Sequence, residues 1–204
     1  MRIRLTASLH CSDGPYGSVT HVIVAPATRR ITHLAAIEPG LWPVERLIPT
    51  VLIGESTPRA IVLRCTRAEL ERLIALSELG RSRYAHAACV LDDEADLSWS
   101  LEFPEETALT VPREIVPPGE VAVHKYTRVR ASDGPVGQAE EFMAAPRSGA
   151  ISYLVLREGN LWSRRAVKIP VSAIVGFSED TIRLSMNKRH IAALPAMAGR
   201  SCRQ

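Results

Sequence analysis

The sequence predicts an all-β fold that is written twice along the chain. Each copy is expected to form a small β-barrel of five to six strands followed by a short helix. Two observations support this prediction: a segment of the first half recurs in the second half, and short apolar runs alternate with Gly, Pro and Asp turn signals within each copy. Short strands at regular spacing favour a barrel or sandwich over a parallel α/β sheet.

The repeat is visible by direct alignment. SDGPYGSVTHVIVAPATRRITHLAAIEPGLW (12–42) aligns without gaps with SDGPVGQAEEFMAAPRSGAISYLVLREGNLW (132–162), and 12 of these 31 positions are identical. After one inserted residue, LIPTVLI (47–53) aligns with KIPVSAI (168–174). The chain therefore divides into a first copy (1–80), an acidic, proline-marked connector (81–119) and a second copy (120–204).

The turn signals set the first strands of each copy. Apolar residues at strand spacing, such as Ile3 and Leu9, precede an Asp-Gly turn whose aspartate is expected to bond nearby backbone amides. Gly17 and Gly137 are expected where the backbone bends or approaches another strand closely. The next strand is predicted over 19–24 or 139–144, and the following proline closes it.

A second reversal precedes the strand predicted over 31–37 or 151–157. Gly149 suits a left-handed position there, whereas Arg29 occupies the same place in the first copy. That difference implies about 1 kcal/mol of backbone strain at Arg29, or a different turn.

Strands over 47–53 and 60–64, and over 167–175 and 181–185, complete the two copies. Thr66, with Glu69 three residues later, predicts a capped helix over 67–79. Asn187 predicts the equivalent cap, and Pro195 shortens the second helix.

The composition excludes a strong overall electrostatic field around the protein. The 204 residues carry 25 basic and 22 acidic side chains, a net charge of +3, so binding to nucleic acid or membrane would have to be local. We expect a cytoplasmic protein, because the N-terminus does not resemble a secretory signal and no apolar run is long enough to span a membrane. The four cysteines are isolated in sequence and are interpreted as free thiols.

The motifs SDGPVGQAEEF, APRSGAISYLVLREGNLW and KIPVSAI of the second copy resemble the PRC-barrel family. This family includes small barrels of the photosynthetic reaction centre H subunit and of a ribosome maturation factor. The resemblance covers about 121–195 well and 1–76 more weakly. It implies a barrel that acts as an adaptor without chemistry of its own, docking on a membrane-protein surface or on ribosomal components.

We therefore expect a non-catalytic adaptor that binds a protein partner and needs neither cofactor nor metal ion. The best candidate surface recurs in both copies, because Trp and Arg dominate the energetic centres of interfaces. Its residues are Trp42, Arg46, Trp162, Arg164 and Arg165. Two alternatives are that the tryptophans cover the barrel ends, and that the copies pair with each other through this surface as a pseudo-twofold dimer.

Two other functions stay open. Lys125, Tyr126, Arg128 and Arg130, together with Arg164 and Arg165, favour an RNA- or ribosome-associated role. A small hydrolase is the third possibility, although the sequence has no GxSxG elbow and no phosphate-binding glycine loop. His21 and His33 could face each other across neighbouring strands, and we expect half-buried strand histidines there instead of a metal site.

Overall fold

The computed structural model describes residues 1–38, 44–73, 116–158, 165–178 and 180–197. The first copy contributes seven strands, a 3-10 turn and a helix: β1 (Arg2–Arg4), β2 (Ser8–Cys11), β3 (Gly14–Ala25), β4 (Arg30–Ile37), β5 (Glu45–Pro49), η1 (Thr50–Leu52), β6 (Ile53–Ser56), β7 (Ala60–Leu63) and α1 (Arg67–Glu71).

The second copy repeats this order. Its elements are β8 (Val121–His124), β9 (Arg128–Ala131), β10 (Gly134–Ala144), β11 (Ile151–Glu158), β12 (Arg165–Pro170), η2 (Val171–Ala173), β13 (Ile174–Phe177), β14 (Thr181–Leu184) and α2 (Lys188–Ala193).

The strands form two seven-stranded sheets. One has the order β5-β4-β3-β2-β7-β6, the other the order β12-β11-β10-β9-β14-β13. Neighbours are antiparallel except for the parallel pairs β2–β7 and β9–β14. The mainly β class is thus confirmed, but within the described residues no ladder joins the two ends of either sheet, so the expected barrel closure is not observed.

The first strand of each copy lies in the sheet of the other copy. β1 pairs with β10, placing Ile3 opposite Phe142, and β8 pairs with β3, placing Val123 opposite Val22. Because Ser12 aligns with Ser132, equivalent residues differ by 120, and these two pairings are equivalent. The isolated bridge between Arg30 and Ala150 joins two residues that are equivalent to each other in the two copies. The copies are therefore related by a pseudo-twofold exchange of strands.

Both copies share one hydrophobic core. Ile3 and Leu5, at and just beyond β1, are almost completely buried, and they belong to the same cluster as Leu34, Phe142 and Leu154. Burying an aliphatic side chain of this size contributes on the order of 2 kcal/mol. This apolar burial stabilises a strand of only three residues at its position in the other copy's sheet.

The strand count differs from the predicted five to six per copy. The segment predicted as one strand over 47–53 is interrupted by η1, and its counterpart by η2. Proline precedes each interruption, at Pro49 and Pro170, and the first strand is separate because it belongs to the other sheet.

The helix prediction was correct at its start and wrong at its end. Thr66 accepts from the Glu69 amide and Glu69 reaches back to the Thr66 amide, a complete capping box, and Asn187 accepts from the His190 amide. However, α1 ends at Glu71 instead of continuing to Leu79, and residues 74–79 lie outside the described residues. The Leu73 carbonyl, just beyond the helix, accepts a hydrogen bond from Arg46.

Two backbone expectations are confirmed. A Cβ at Gly17 would collide with the carbonyl of Ile37, and one at Gly137 with the carbonyl of Arg157, so both positions need the close approach that glycine allows. Arg29 adopts the left-handed conformation, with φ of 53°, at the place where Gly149 has φ of 66°. These two residues meet at the pseudo-twofold contact, where Ile31 N donates to Gly149 O and Ile151 N donates to Arg29 O, each at 2.9 Å.

Candidate functional site

The surface predicted from the sequence is only partly described. Trp42, Trp162 and Arg164 lie outside the described residues. Arg46 donates to the carbonyl of Leu73 at 2.9 Å, and Arg165 donates to the carbonyls of Ala192, at 2.9 Å, and Leu194. The two described arginines therefore hold the C-terminal ends of the two helices, where cationic groups are favourable.

The two copies reach this arrangement from different positions. Ile48 pairs with Leu34 and Ile169 with Leu154, so Arg46 is equivalent to Val167 and not to Arg165. Sequence proximity to the tryptophans indicated a shared binding surface, whereas the hydrogen bonds assign each guanidinium a structural role in its own copy. The sequence contained no signal for this, because the bonds go to backbone carbonyls.

The aspartates of the repeated SDGP motif form hydrogen bonds with residues farther along the chain than expected. Asp13 accepts from the Arg67 amide, with 3.1 Å to each carboxylate oxygen, and Asp133 accepts from the Lys188 amide at 2.9 Å. The predicted bonds to nearby turn amides are thus replaced by bonds to the first amide of a helix 54 or 55 residues later. A carboxylate is favourable there because helix N-terminal amides are unpaired and partially positive.

The two exchanged strands are bordered by different charges. We call the β1–β10 pair the arginine seam, because Arg2 binds the buried Glu141 through two nitrogens and Arg4 binds Glu140 at 2.9 Å. We call the β3–β8 pair the histidine seam, because His21 and His124 are direct partners there, with ring centroids 5.6 Å apart. The repeat relationship places Arg4 opposite Glu141 where the other seam has His124 opposite His21.

The partner of His21 differs from the sequence expectation. His21 lies opposite Ala35, and His33 lies opposite Ile23, so these two histidines are not direct cross-strand partners. His21 Nδ1 is instead 2.8 Å from Glu45 Oε1, and His33 is 3.8 Å from Glu120. Both imidazoles are half-buried, and no group of three metal-ligating side chains occurs in the described part of the chain.

The outer face of the second sheet carries the most distinctive charge pattern. We call it the arginine face and define it by Arg128, Arg130, Arg157 and Arg183. Arg130 lies opposite Arg183 in the parallel β9–β14 pair, and Gln138 lies between Arg128 and Arg157. Arg157 donates to Gln138 Oε1 at 2.6 Å, and Arg183 extends along Gly176.

This face is specific to the second copy. The same register in the first sheet places Ser8, His10, Ile37 and Val62 at the four equivalent positions. Arg128, Arg130 and Arg183 are exposed, and none of them forms an ion pair with another described residue. Like charges placed opposite each other destabilise a sheet, so this arrangement is not explained by folding stability.

The chain matches no known protein-family profile and no curated protein. In the described part of the chain, no helix is both long and apolar enough to cross a membrane.

Proposed function

We propose that this chain is a non-catalytic adaptor with PRC-barrel-like repeats, and that its arginine face docks an acidic segment of a protein partner. The single observation that carries the proposal is the presence of four arginines on the second sheet where the first sheet has Ser8, His10, Ile37 and Val62.

The chemistry of the face favours carboxylates. A guanidinium presents a planar fork of donors that matches a carboxylate in a bidentate geometry, and it is less strongly hydrated than an ammonium group. Three of the four arginines are exposed on neighbouring strands, and the register of those strands sets the spacing of their backbone positions.

The PRC-barrel assignment rests on the repeated motifs, and the structure adds the mainly β class, as two mostly antiparallel sheets. In that family the barrel serves as a docking element. This agrees with two copies that share one architecture while only the second carries the arginine face. We infer that the first copy maintains the fold through its exchanged strand and that the second copy provides the binding surface.

RNA binding is the second candidate, because Tyr126 is 63% exposed and Lys125 Nζ lies 4.9 Å from its ring centroid, close in sequence to Arg128. Single-stranded RNA is bound by basic grooves combined with stacking aromatic rings. Tyr126 lies in the turn before β9, outside the strand positions of the arginine face, and this favours a protein partner over RNA.

The test replaces three arginines by the residues of the first copy: Arg128→Ser, Arg130→His and Arg183→Val. These residues are compatible with the same strand positions, so the variant should fold, which circular dichroism and thermal unfolding would verify. Fluorescence anisotropy then measures binding of a labelled glutamate-rich peptide and of a single-stranded RNA of roughly 12 nucleotides.

We expect the wild type to bind the peptide and the triple variant to bind it at least about tenfold more weakly. A matched control, Arg59→Ser with Arg64→Ser, removes two exposed arginines of the first copy and should leave peptide binding unchanged. Equal peptide binding by wild type and triple variant would refute the proposal. Tighter binding of RNA than of peptide, lost in the triple variant, would establish the RNA role instead.

A further inference from the structure

Two cysteines lie together in the first copy. Cys11 ends β2, and Cys65 directly precedes Thr66, the N-cap of α1. The amide of Ser12 donates to the carbonyl of Cys65 at 3.0 Å, so the two backbones run side by side at this point. Both side chains are 5% exposed and point into the same core. The two side chains are close enough for each thiol to affect the pKa of the other.

The second copy shows that the fold does not require these thiols. The equivalent backbone bond, from the Ser132 amide to the Met186 carbonyl, has a length of 2.9 Å. Alignment of the copies places Ala131 at the position of Cys11 and Met186 at that of Cys65. The backbone contact is therefore common to both copies, whereas the pair of thiols occurs only in the first.

We propose that Cys11 and Cys65 are a redox modification site, a dithiol that closes to an intramolecular disulfide. Two S–H bonds break and one S–S bond forms, and the two electrons and two protons pass to the oxidant. A low-molecular-mass disulfide is a suitable oxidant class, because it accepts them by becoming two thiols. The product joins the end of β2 to the start of α1.

The surroundings of the pair determine when it reacts. Burial raises the pKa of Cys11 to about 11, with a smaller contribution from the neighbouring Cys65, and burial also raises the pKa of Cys65. Both thiols are therefore protonated at neutral pH, and a thiol reacts as its thiolate. Oxidation should need a local opening in which the SDGP turn, held to α1 by Asp13, separates from the helix.

The disulfide would cross-link residues that are 54 positions apart (65 − 11), which restricts the unfolded chain. Oxidation should therefore raise the thermal midpoint of the protein. It would also lock the SDGP turn onto the start of α1, where the Asp13 carboxylate and the Ser12 amide make hydrogen bonds in the reduced form.

The experiment treats the full chain with oxidised glutathione or diamide and maps its disulfides by mass spectrometry under non-reducing conditions. We expect a linked pair of peptides containing Cys11 and Cys65, a loss of two hydrogens, a higher thermal midpoint, and reversal of all three by dithiothreitol. The controls are Cys11→Ala and Cys65→Met, which carry the residues of the second copy and should lose all three responses.

Three outcomes would overturn the inference. Both thiols could remain open to alkylation after oxidation and denaturation. Cys11 or Cys65 could pair only with Cys89 or Cys202. The rise in thermal midpoint could persist in either single-substitution variant, which would assign the rise to another reaction.

Discussion

At the scale of single residues, Glu45 on β5 forms polar contacts with Thr20 and with His21 of the histidine seam. Its carboxylate accepts from the Thr20 hydroxyl and contacts Nδ1 of His21. Burial raises the pKa of Glu45. The hydrogen bonds from His21 and Thr20, together with the charge of His21, lower this pKa by more than burial raises it, so the net effect is a pKa below the ordinary value of 4.5. The folded state therefore favours the ionised carboxylate.

This shift has a defined consequence for acid stability. A carboxylate with a lowered pKa in the folded state contributes stability above its unfolded pKa, and that contribution is lost as the pH falls through the folded pKa. In Glu45→Gln the loss of stability between neutral pH and pH values below about 4.5 should be smaller than in the wild type. Urea denaturation across this range measures the difference.

The comparison depends on the pH slope and not on the stability at one pH, because the substitution also changes the bonds to Thr20 and His21. Glu55→Gln, at an exposed position of β6, is the matched control and should retain the wild-type slope. Parallel pH profiles for Glu45→Gln and the wild type would contradict the assignment.

At the scale of secondary-structure elements, the repeated SDGP motif connects a hairpin to a distant helix. Both helices are short, with five and six residues, so their stability comes from caps and packing and not from helix propensity. Each begins with a side-chain cap, donates its first amide to the aspartate carboxylate of an SDGP turn, and ends near a carbonyl held by an arginine. The SDGP motif is thus identical in both copies because it attaches a helix as well as forming a turn.

The attachment can be tested at Asp133. Asp133→Ala removes the acceptor for the Lys188 amide and should lower the free energy of unfolding by about 1 kcal/mol, the usual value of a helix cap. Asp133→Asn keeps an oxygen at the bonding position and should recover most of the loss. Chemical denaturation of both variants measures this, and equal destabilisation by Ala and Asn would show that the hydrogen bond is not the cause.

At the scale of the whole molecule, the exchange of β1 and β8 joins the two copies into one core. Ile3, from the first copy, packs in the sheet of the second copy opposite Phe142. A destabilising substitution in one copy should therefore also destabilise the other copy.

Ile3→Ala tests this coupling. The substitution should lower the free energy of unfolding by roughly 2 to 5 kcal/mol, because it leaves a cavity in a buried site. Hydrogen exchange should show the loss of protection at β10 and β11, in the second copy. Leu9→Ala, at a buried position of β2, is the control and should first expose amides of the first sheet. Loss of protection confined to β2 and β7 in Ile3→Ala would contradict the exchanged arrangement.

The sequence alone determined the local structure of this protein. Alternating apolar residues, Asp-Gly turns, prolines and helix caps predicted the mainly β class, most of the strands, both helix starts, the close approach at Gly17 and the unusual backbone of Arg29. Apart from Gly17, whose close contact is with the Ile37 carbonyl of the neighbouring strand, these features depend on neighbours within a few residues, and such interactions are present in the sequence itself.

The tertiary structure decided which copy each first strand joins and where the polar side chains go. Either sheet could accept β1 or β8, because the two copies present equivalent apolar positions, and the repeat therefore concealed the exchange. Hydrogen bonds from Arg46 and Arg165 to backbone carbonyls, and from helix amides to Asp13 and Asp133, depend on distances between segments far apart in the chain. The arginine face likewise required the register of four strands, because its residues are adjacent only across the sheet.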